Sequence, residues 1–248
     1  MLILDIDNTI LPSKEAYDFS LKCLSEFWQR KAYGSALDFY DRFKLAREEI
    51  KVNLEGHSSN RLRILYFKRM IELKFGSLTK KRINLVLKME EIYFKNFSKY
   101  LKEFFHLNKG NYKFTFKLLN EIQASHKIIF LSNENLRTQL IKLESVFPKN
   151  FQFNLLVSEE LGIEKPSAQI FIEACRRIDS NPEQCVMIGD NHIDDIEGAS
   201  KLGITTIHLK EMFGEREITK NLNISVSNSF VAHNLNSSLE YYISMRPV

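Results

Sequence analysis

Asp5 and Asp7 stand two residues apart at the end of the apolar opening run MLILDI, and Thr9 follows two residues later. Two carboxylates spaced this way behind a strand can divide the work of a reaction. One attacks an electrophile as a nucleophile, and the other moves protons. Three further polar groups each follow an apolar run: Ser132-Asn133, Glu164-Lys165-Pro166, and Gly189-Asp190-Asn191 with Asp194 and Asp195. Asp5, Asp7, Asp190 and a carboxylate from Asp194 or Asp195 would crowd one crevice. Like charges at that range raise each other's pKa unless a cation intervenes. Hard oxygen ligands in this number suit Mg²⁺, which keeps waters and binds substrate phosphate. The Lys165 ammonium and the Ser132 hydroxyl suit phosphate oxygens. Together these residue types read as phosphoryl transfer through an aspartyl-phosphate.

Such residues need a scaffold that gathers strand ends in one place. Apolar runs at 127–131, 153–157, 186–189 and 205–209 predict strands, with amphipathic helices at 112–124, 136–146, 168–178 and 193–202. Strand–helix alternation implies right-handed crossovers and a parallel sheet with helices on both faces. Reactive groups then collect beyond the carboxyl ends of the strands. Between the first strand, at 1–6, and the rest lies a stretch with almost no strand signal. Phe19, Cys23, Leu24, Phe27 and Trp28 form a helical stripe closed by Gly34, and 36–54 repeats the pattern up to Gly56. Residues 62–75 predict a third helix stopped at Gly76, and 83–100 a fourth behind the cap Thr79. The tail from Asn221 predicts a weak edge strand and a final helix. The expected fold class is therefore α/β: a Rossmann-like parallel-sheet core, residues 1–13 plus 106–248, with an inserted all-α helical-bundle cap, residues 14–105.

The 248 residues are enough to bury a core without disulfides, and 44% hydrophobic with 27% charged is ordinary for a globular protein. Lys and Arg number 35 against 31 Asp and Glu, a net charge of +4 that does not suggest a dedicated nucleic-acid binder. The total hides a split. Residues 14–105 hold 20 basic and 12 acidic side chains, and the remainder 15 basic and 19 acidic. The basic segment would meet a phosphorylated substrate arriving at the acidic one. Cys23, Cys175 and Cys185 lack metal-ligand spacing and fit reduced, mostly buried thiols. The opening run has no basic n-region, and the longest apolar runs fall far short of a membrane span. The expectation is a cytoplasmic protein, a monomer or weak homo-oligomer, with no membrane or nucleic-acid partner.

The order DIDNT, LSN, EKP and GDNHIDDIEGA resembles the four motifs of the haloacid dehalogenase-like hydrolase superfamily, and the place of the insert is similar to that family's helical C1-type cap. The resemblance implies that Asp5 is the nucleophile and a metal ligand. Asp7 becomes the general acid/base and lends its backbone carbonyl to the metal, with Asp190 a further ligand. Ser132, Asn133 and Lys165 would bind the phosphoryl group, Thr9 would steady the catalytic loop, and Asp195, or its neighbour Asp194, would support the metal site. The dehalogenase branch lacks an acid at the position of Asp7, so the phosphatase branch is implied, with Mg²⁺ as cofactor and a small phosphorylated metabolite as substrate. A sugar phosphomutase using the same aspartyl-phosphate is the alternative within the family. A catalytically idle binding protein is the alternative outside it, and the intact Asp5, Asp7, Lys165 and Asp190 argue against that reading. In C1-cap relatives the turn between the second and third cap helices reaches the active site, which makes His57, Ser59, Asn60 and Arg61 the specificity candidates. Arg42, Arg47, Arg63 and Arg69 are expected as exposed helix cations, Tyr66 and Phe67 as bundle core, and His192 as a surface histidine.

Overall fold

The computed structural model describes residues 1–213, 218–220 and 228–245. Seven strands form one sheet: β1 (Leu2–Leu4), β2 (Ile128–Ser132), β3 (Asn154–Val157), β4 (Val186–Gly189), β5 (Thr205–Leu209), β6 (Ile218–Lys220) and β7 (Ser229–Ala232). Their order is β3-β2-β1-β4-β5-β7-β6, parallel throughout except for the antiparallel pair β6–β7. The chain's first strand is thus central, with Leu2 opposite Ile128 on one side and Val186 on the other. Side chains alternate across a strand, so Leu2 and Leu4 enter one apolar cluster with Phe130, Ile188 and Ile207, while Ile3 enters another with Ile129, Leu156 and Met187. Both faces are buried, as a parallel sheet requires.

Helices α1 (Ser13–Arg30), α2 (Ala36–Asn53), α3 (Arg63–Phe75) and α4 (Lys80–Leu107) follow β1. They share a cluster of their own, built on Trp28, Phe39, Phe43, Tyr66, Phe67, Met70 and Tyr93. Local chemistry marks their ends. The Ser35 hydroxyl accepts from the Asp38 amide and Thr79 from the Arg82 amide, while α3 stops at Gly76 with φ +78°. That left-handed conformation carries no steric cost at glycine. Tyr66 and Phe67 are buried in this bundle, as expected. The fourth helix runs seven residues past the expected 100, because nothing breaks it before Asn108. Its first half packs in the helical cluster through Met89, Tyr93 and Phe94. Its second half packs against the sheet through Phe97 and Leu101.

Helices α5 (Lys109–Gln123), α6 (Leu136–Val146) and α7 (Ala168–Arg177) supply the crossovers, and α9 (Leu235–Ser244) ends the fold after the short α8 (Gly198–Ser200). Two sequence expectations are corrected. The predicted helix at 193–202 is instead a π-helical turn, His192–Glu197, running into α8. The Asn191 side chain caps it by accepting from the amides of Ile193 and Asp194. Single π turns are frequent at functional sites. The tail strand β7 is not the edge either, since three-residue β6 lies outside it. Residues 221–227, the start of the predicted tail, lie outside the described residues. Cys175 and Cys185 are buried free thiols, with Sγ atoms 3.5 Å apart. Among the described residues no helix is long and apolar enough to cross a membrane.

Candidate active site

The segment after β1 folds back on itself through backbone bonds from Ile10 and Leu11 to the Ile6 carbonyl and from Asn8 to the Leu11 carbonyl. This turn aims Asp5, Asp7 and Thr9 at the carboxyl ends of β2 and β4. Asp5 is 5% exposed, and its Oδ1 accepts from Lys165 Nζ at 2.7 Å. Its Oδ2 accepts from the Thr9 hydroxyl at 3.0 Å, and that hydroxyl also lies 3.3 Å from Asp190 Oδ1. Lys165 makes a second ion pair, 2.6 Å to Asp195 Oδ1, and donates to the Leu131 carbonyl. Burial pushes the carboxyls of Asp5, Asp190 and Asp195 above the usual range, and their mutual repulsion adds to the push. Burial would lower the Lys165 ammonium, but Asp195 and Asp5 outweigh it and hold the group protonated.

Asn133 holds two of these loops in register. Its Nδ2 donates to the Lys165 carbonyl at 2.9 Å, and its Oδ1 accepts from the Lys165 amide at 2.6 Å. Two glycines allow equally close approaches elsewhere. A Cβ on Gly189 would sit 2.3 Å from Asp195 Oδ2, and one on Gly198 would sit 2.9 Å from Pro166 Cβ. The glycine before Asp190 thus makes room for Asp195, and the glycine before Ala199 lets α8 press on the turn that carries Lys165. Asp195, rather than Asp194, joins Asp5 and Lys165. Asp194 faces Asn133 and Asn191 instead.

Asp7 is placed differently. Its carboxylate pairs with Lys142, accepts from Gln139 Nε2 at 2.7 Å, and lies 3.3 Å from the Ser132 hydroxyl. Lys142 is fully buried, with its Nζ 5.1 Å from the Tyr17 ring centroid and 5.7 Å from that of Phe97. Burial alone would raise the Asp7 carboxyl, but the Lys142 ion pair and hydrogen bond bring it down to about 2. Sequence reasoning missed Lys142 and Gln139. The available signal was a Gln and a Lys three apart in a helix whose Leu143 and Val146 face the core.

The helical insert meets the sheet at two carboxylates. Glu164, one residue before Lys165, accepts from Asn60 Nδ2 at 3.1 Å and Arg61 Nε at 3.2 Å. Glu134 accepts from the Tyr17 hydroxyl at 2.6 Å and pairs with Arg63 at 3.3 Å. Arg63 is a correction to the sequence reading: its guanidinium is buried 4.4 Å over the Tyr17 ring, because the first turn of α3 faces the loop after β2. A cavity of about 680 Å³ reaches from the carboxylate cluster to α2 and includes Arg61 in its wall. Of the other specificity candidates, His57 is exposed and caps the turn by accepting from the Ser59 amide, Ser59 is half-buried, and Asn60 is buried on Glu164. None of these three lines the cavity. His192 is a surface residue paired with Glu197, as expected.

Residues 1–203 match the sequence model of the haloacid dehalogenase-like hydrolases. The chain belongs to that family. This haloacid dehalogenase-like hydrolase is 30% identical, over 83% of its length and 82% of the relative's, to a ribulose-1,5-bisphosphate 5-phosphatase of Halopiger xanaduensis. A 61-residue stretch, about a quarter of each chain, is 43% identical to a glyceraldehyde 3-phosphate phosphatase of Methanopyrus kandleri. Among solved structures, the magnesium-bound hydrolase YfnB of Bacillus subtilis superposes with a TM-score of 0.62 at 17% identity, covering 98% of both chains. A 2-haloacid dehalogenase from Pseudomonas syringae gives 0.66 at 17% identity, with 98% and 97% covered. At such identities the structures share the fold alone.

Proposed function

We propose that this hydrolase cleaves small phosphate monoesters through an aspartyl-phosphate on Asp5, with Mg²⁺ as cofactor. The supporting observation is the convergence of Asp5, Asp190 and Asp195, of which Asp5 and Asp195 share the Lys165 ammonium. One oxygen from each carboxylate lies within 4.8 Å of the others. Among the described residues Lys165 alone pairs with any of the three, and it leaves Asp190 without a cation, so the donor set fits a hard divalent cation. Asp195 has one oxygen on Lys165 and the other on the Asn191 amide, which suits it to support rather than ligation. Asp5 and Asp190, with the Asp7 backbone carbonyl, would hold the ion. Bound there, Mg²⁺ would neutralise charge on the phosphoryl oxygens.

Asp5 Oδ attacks phosphorus, the bond from phosphorus to the leaving oxygen breaks, and a proton from Asp7 completes the alcohol. Water then attacks the aspartyl-phosphate, gives its proton back to Asp7, and releases phosphate with Asp5 restored as a carboxylate. Lys165 steadies the developing charge, and the Ser132 hydroxyl and Asn133 backbone complete the phosphoryl pocket. Lys142 keeps Asp7 ionised in the resting enzyme, the form that accepts the proton from water. To deliver a proton in the first step, Asp7 takes one up from solvent or from a phosphate monoanion as that pair loosens on substrate entry, and the proton later received from water returns to solvent when the pair re-forms. The relatives named as phosphatases of ribulose bisphosphate and glyceraldehyde phosphate support small sugar phosphates as the substrate class. The division into a core and a cap at 14–105 belongs to the same proposal, with the two clusters of ion pairs at Glu134 and Glu164 as the seam. Asp5→Asn should abolish Mg²⁺-dependent release of phosphate from an aryl phosphate. Retained turnover in that variant would sink the mechanism.

A further inference from the structure

The wall of the cavity opposite the carboxylate cluster is cationic. Lys44 and Arg47 of α2 lie on it, together with Arg61 and Arg63. On α2, α3 and the turn between them, the other arginines that hydrogen-bond or pair each hold a carboxylate: Arg42 has Asp38, Arg61 has Glu164, Arg63 has Glu134 and Arg69 has Glu49. Arg47 has none, and no ion pair or hydrogen bond engages it among the described residues. Lys44 reaches only Glu48, at 3.9 Å along the exposed helix surface. Asp18 and Asp41 line the same cavity, but neither lies within ion-pair distance of Arg47. One turn along α2, half-buried Lys51 is held below the usual lysine range by burial and then by the repulsion of Arg61, Arg47 and Arg63. Glu164 relieves that repulsion only in part. Arg47 thus faces the cavity without a carboxylate partner among the described residues, and the cavity is large enough for a small metabolite.

We propose that Arg47, together with Arg61 on the same cavity wall, forms a second anion subsite, so that the favoured substrate is a phosphate monoester with another phosphate or a carboxylate at its far end. An exposed guanidinium without an intramolecular partner can offer a two-pronged donor to either group. This rests on the phosphatase reading and narrows its substrate class. The reacting phosphoryl group would sit at Asp5, and the far anion would reach α2 across the cavity.

The test compares three substrates with the same reacting end: a pentose bisphosphate, a phosphorylated sugar acid, and a sugar monophosphate whose far end is neutral. The wild-type enzyme should favour a doubly anionic substrate over the neutral-ended one by at least tenfold in kcat/KM. The bisphosphate and acid arms show which far anion is preferred. Arg47→Ala should cut that preference about tenfold, mainly through KM, and Arg47→Lys should restore part of it. Equal kcat/KM for all three substrates, or an Arg47→Ala loss that is the same for all, would overturn the subsite and leave the phosphatase standing. If no phosphate is released from any substrate, the phosphatase reading falls, and calorimetry of the bisphosphate with the Asp5→Asn protein decides the subsite instead. Binding weakened about tenfold by adding Arg47→Ala supports it, and unchanged binding refutes it.

Discussion

Lys142 offers the sharpest quantitative test, because its ammonium is wholly buried and its carboxylate partner Asp7 is only a quarter exposed. Lys142→Met keeps the length of the side chain and its contact with Tyr17 and Phe97 but removes the charge. Asp7 is held at about 2, against 3.8 for a free aspartate. At 1.36 kcal/mol per unit, that difference is worth about 2 kcal/mol. Loss of the cation over the two rings adds about 0.5–1 kcal/mol. The variant should therefore lose about 3 kcal/mol at pH 7, a fall in Tm of roughly 6–12 °C for a chain of this size. Urea denaturation of the wild type, Lys142→Met, Asp7→Asn and the double variant, all in EDTA, gives the coupling energy, expected at about 2 kcal/mol. Because the folded pKa of Asp7 is depressed, the pair's contribution is complete above the unfolded value near 4 and fades as pH falls through about 2. Burial without Lys142 lifts Asp7 above its usual range, so the gap between wild type and Lys142→Met should be widest at pH 7 and narrow steadily as pH falls toward 2. A coupling energy under about 0.5 kcal/mol would refute the reasoning, since exposed pairs already reach that value.

Other perturbations act on neighbouring parts of the site. Lys165→Met leaves Asp5 and Asp195 buried without their shared cation, and should cost about 3–5 kcal/mol in urea melts with turnover down at least about a hundredfold. Gly198→Ala drives a methyl into Pro166 and Phe171. It should cost about 1–3 kcal/mol and lower kcat, and thermal melts with steady-state kinetics on one preparation will show whether both occur. Mg²⁺ at a hundred times its Kd should stabilise the protein by about 2.7 kcal/mol, read as a Tm increase that EDTA reverses and Asp190→Asn abolishes.

The sheet and its four polar clusters were legible because their signals are local. Short apolar runs such as 127–131 and 186–189 end in residues that cannot continue a buried strand. Helix ends marked by Gly76 and Thr79 were legible for the same reason. The end of α4 carries no such marker, and the π turn depends on Asn191 capping a segment whose composition alone suits an α-helix. Arg63 and Lys142 were beyond reach for a different cause. Whether a helical cation is solvated or buried depends on which neighbour its face meets. Here the neighbours are Glu134 and Asp7, distant in sequence and close only once the sheet is built.

The central position of β1 shapes how the molecule comes into being during synthesis. Leu2 must pair with both Ile128 and Val186. At ribosomal speeds the wait between making the first strand and making its second neighbour is roughly 10–40 s. Helices α1 to α4 have their partners close at hand and can pack while the ribosome is still working. Leu2, Ile3 and Leu4 meanwhile remain an unpaired apolar edge, open to pairing with the wrong strand. Asp5 therefore acquires Lys165 and Asp195 only after residue 195 has been made, so a chain cut short before it carries the helices without a competent nucleophile.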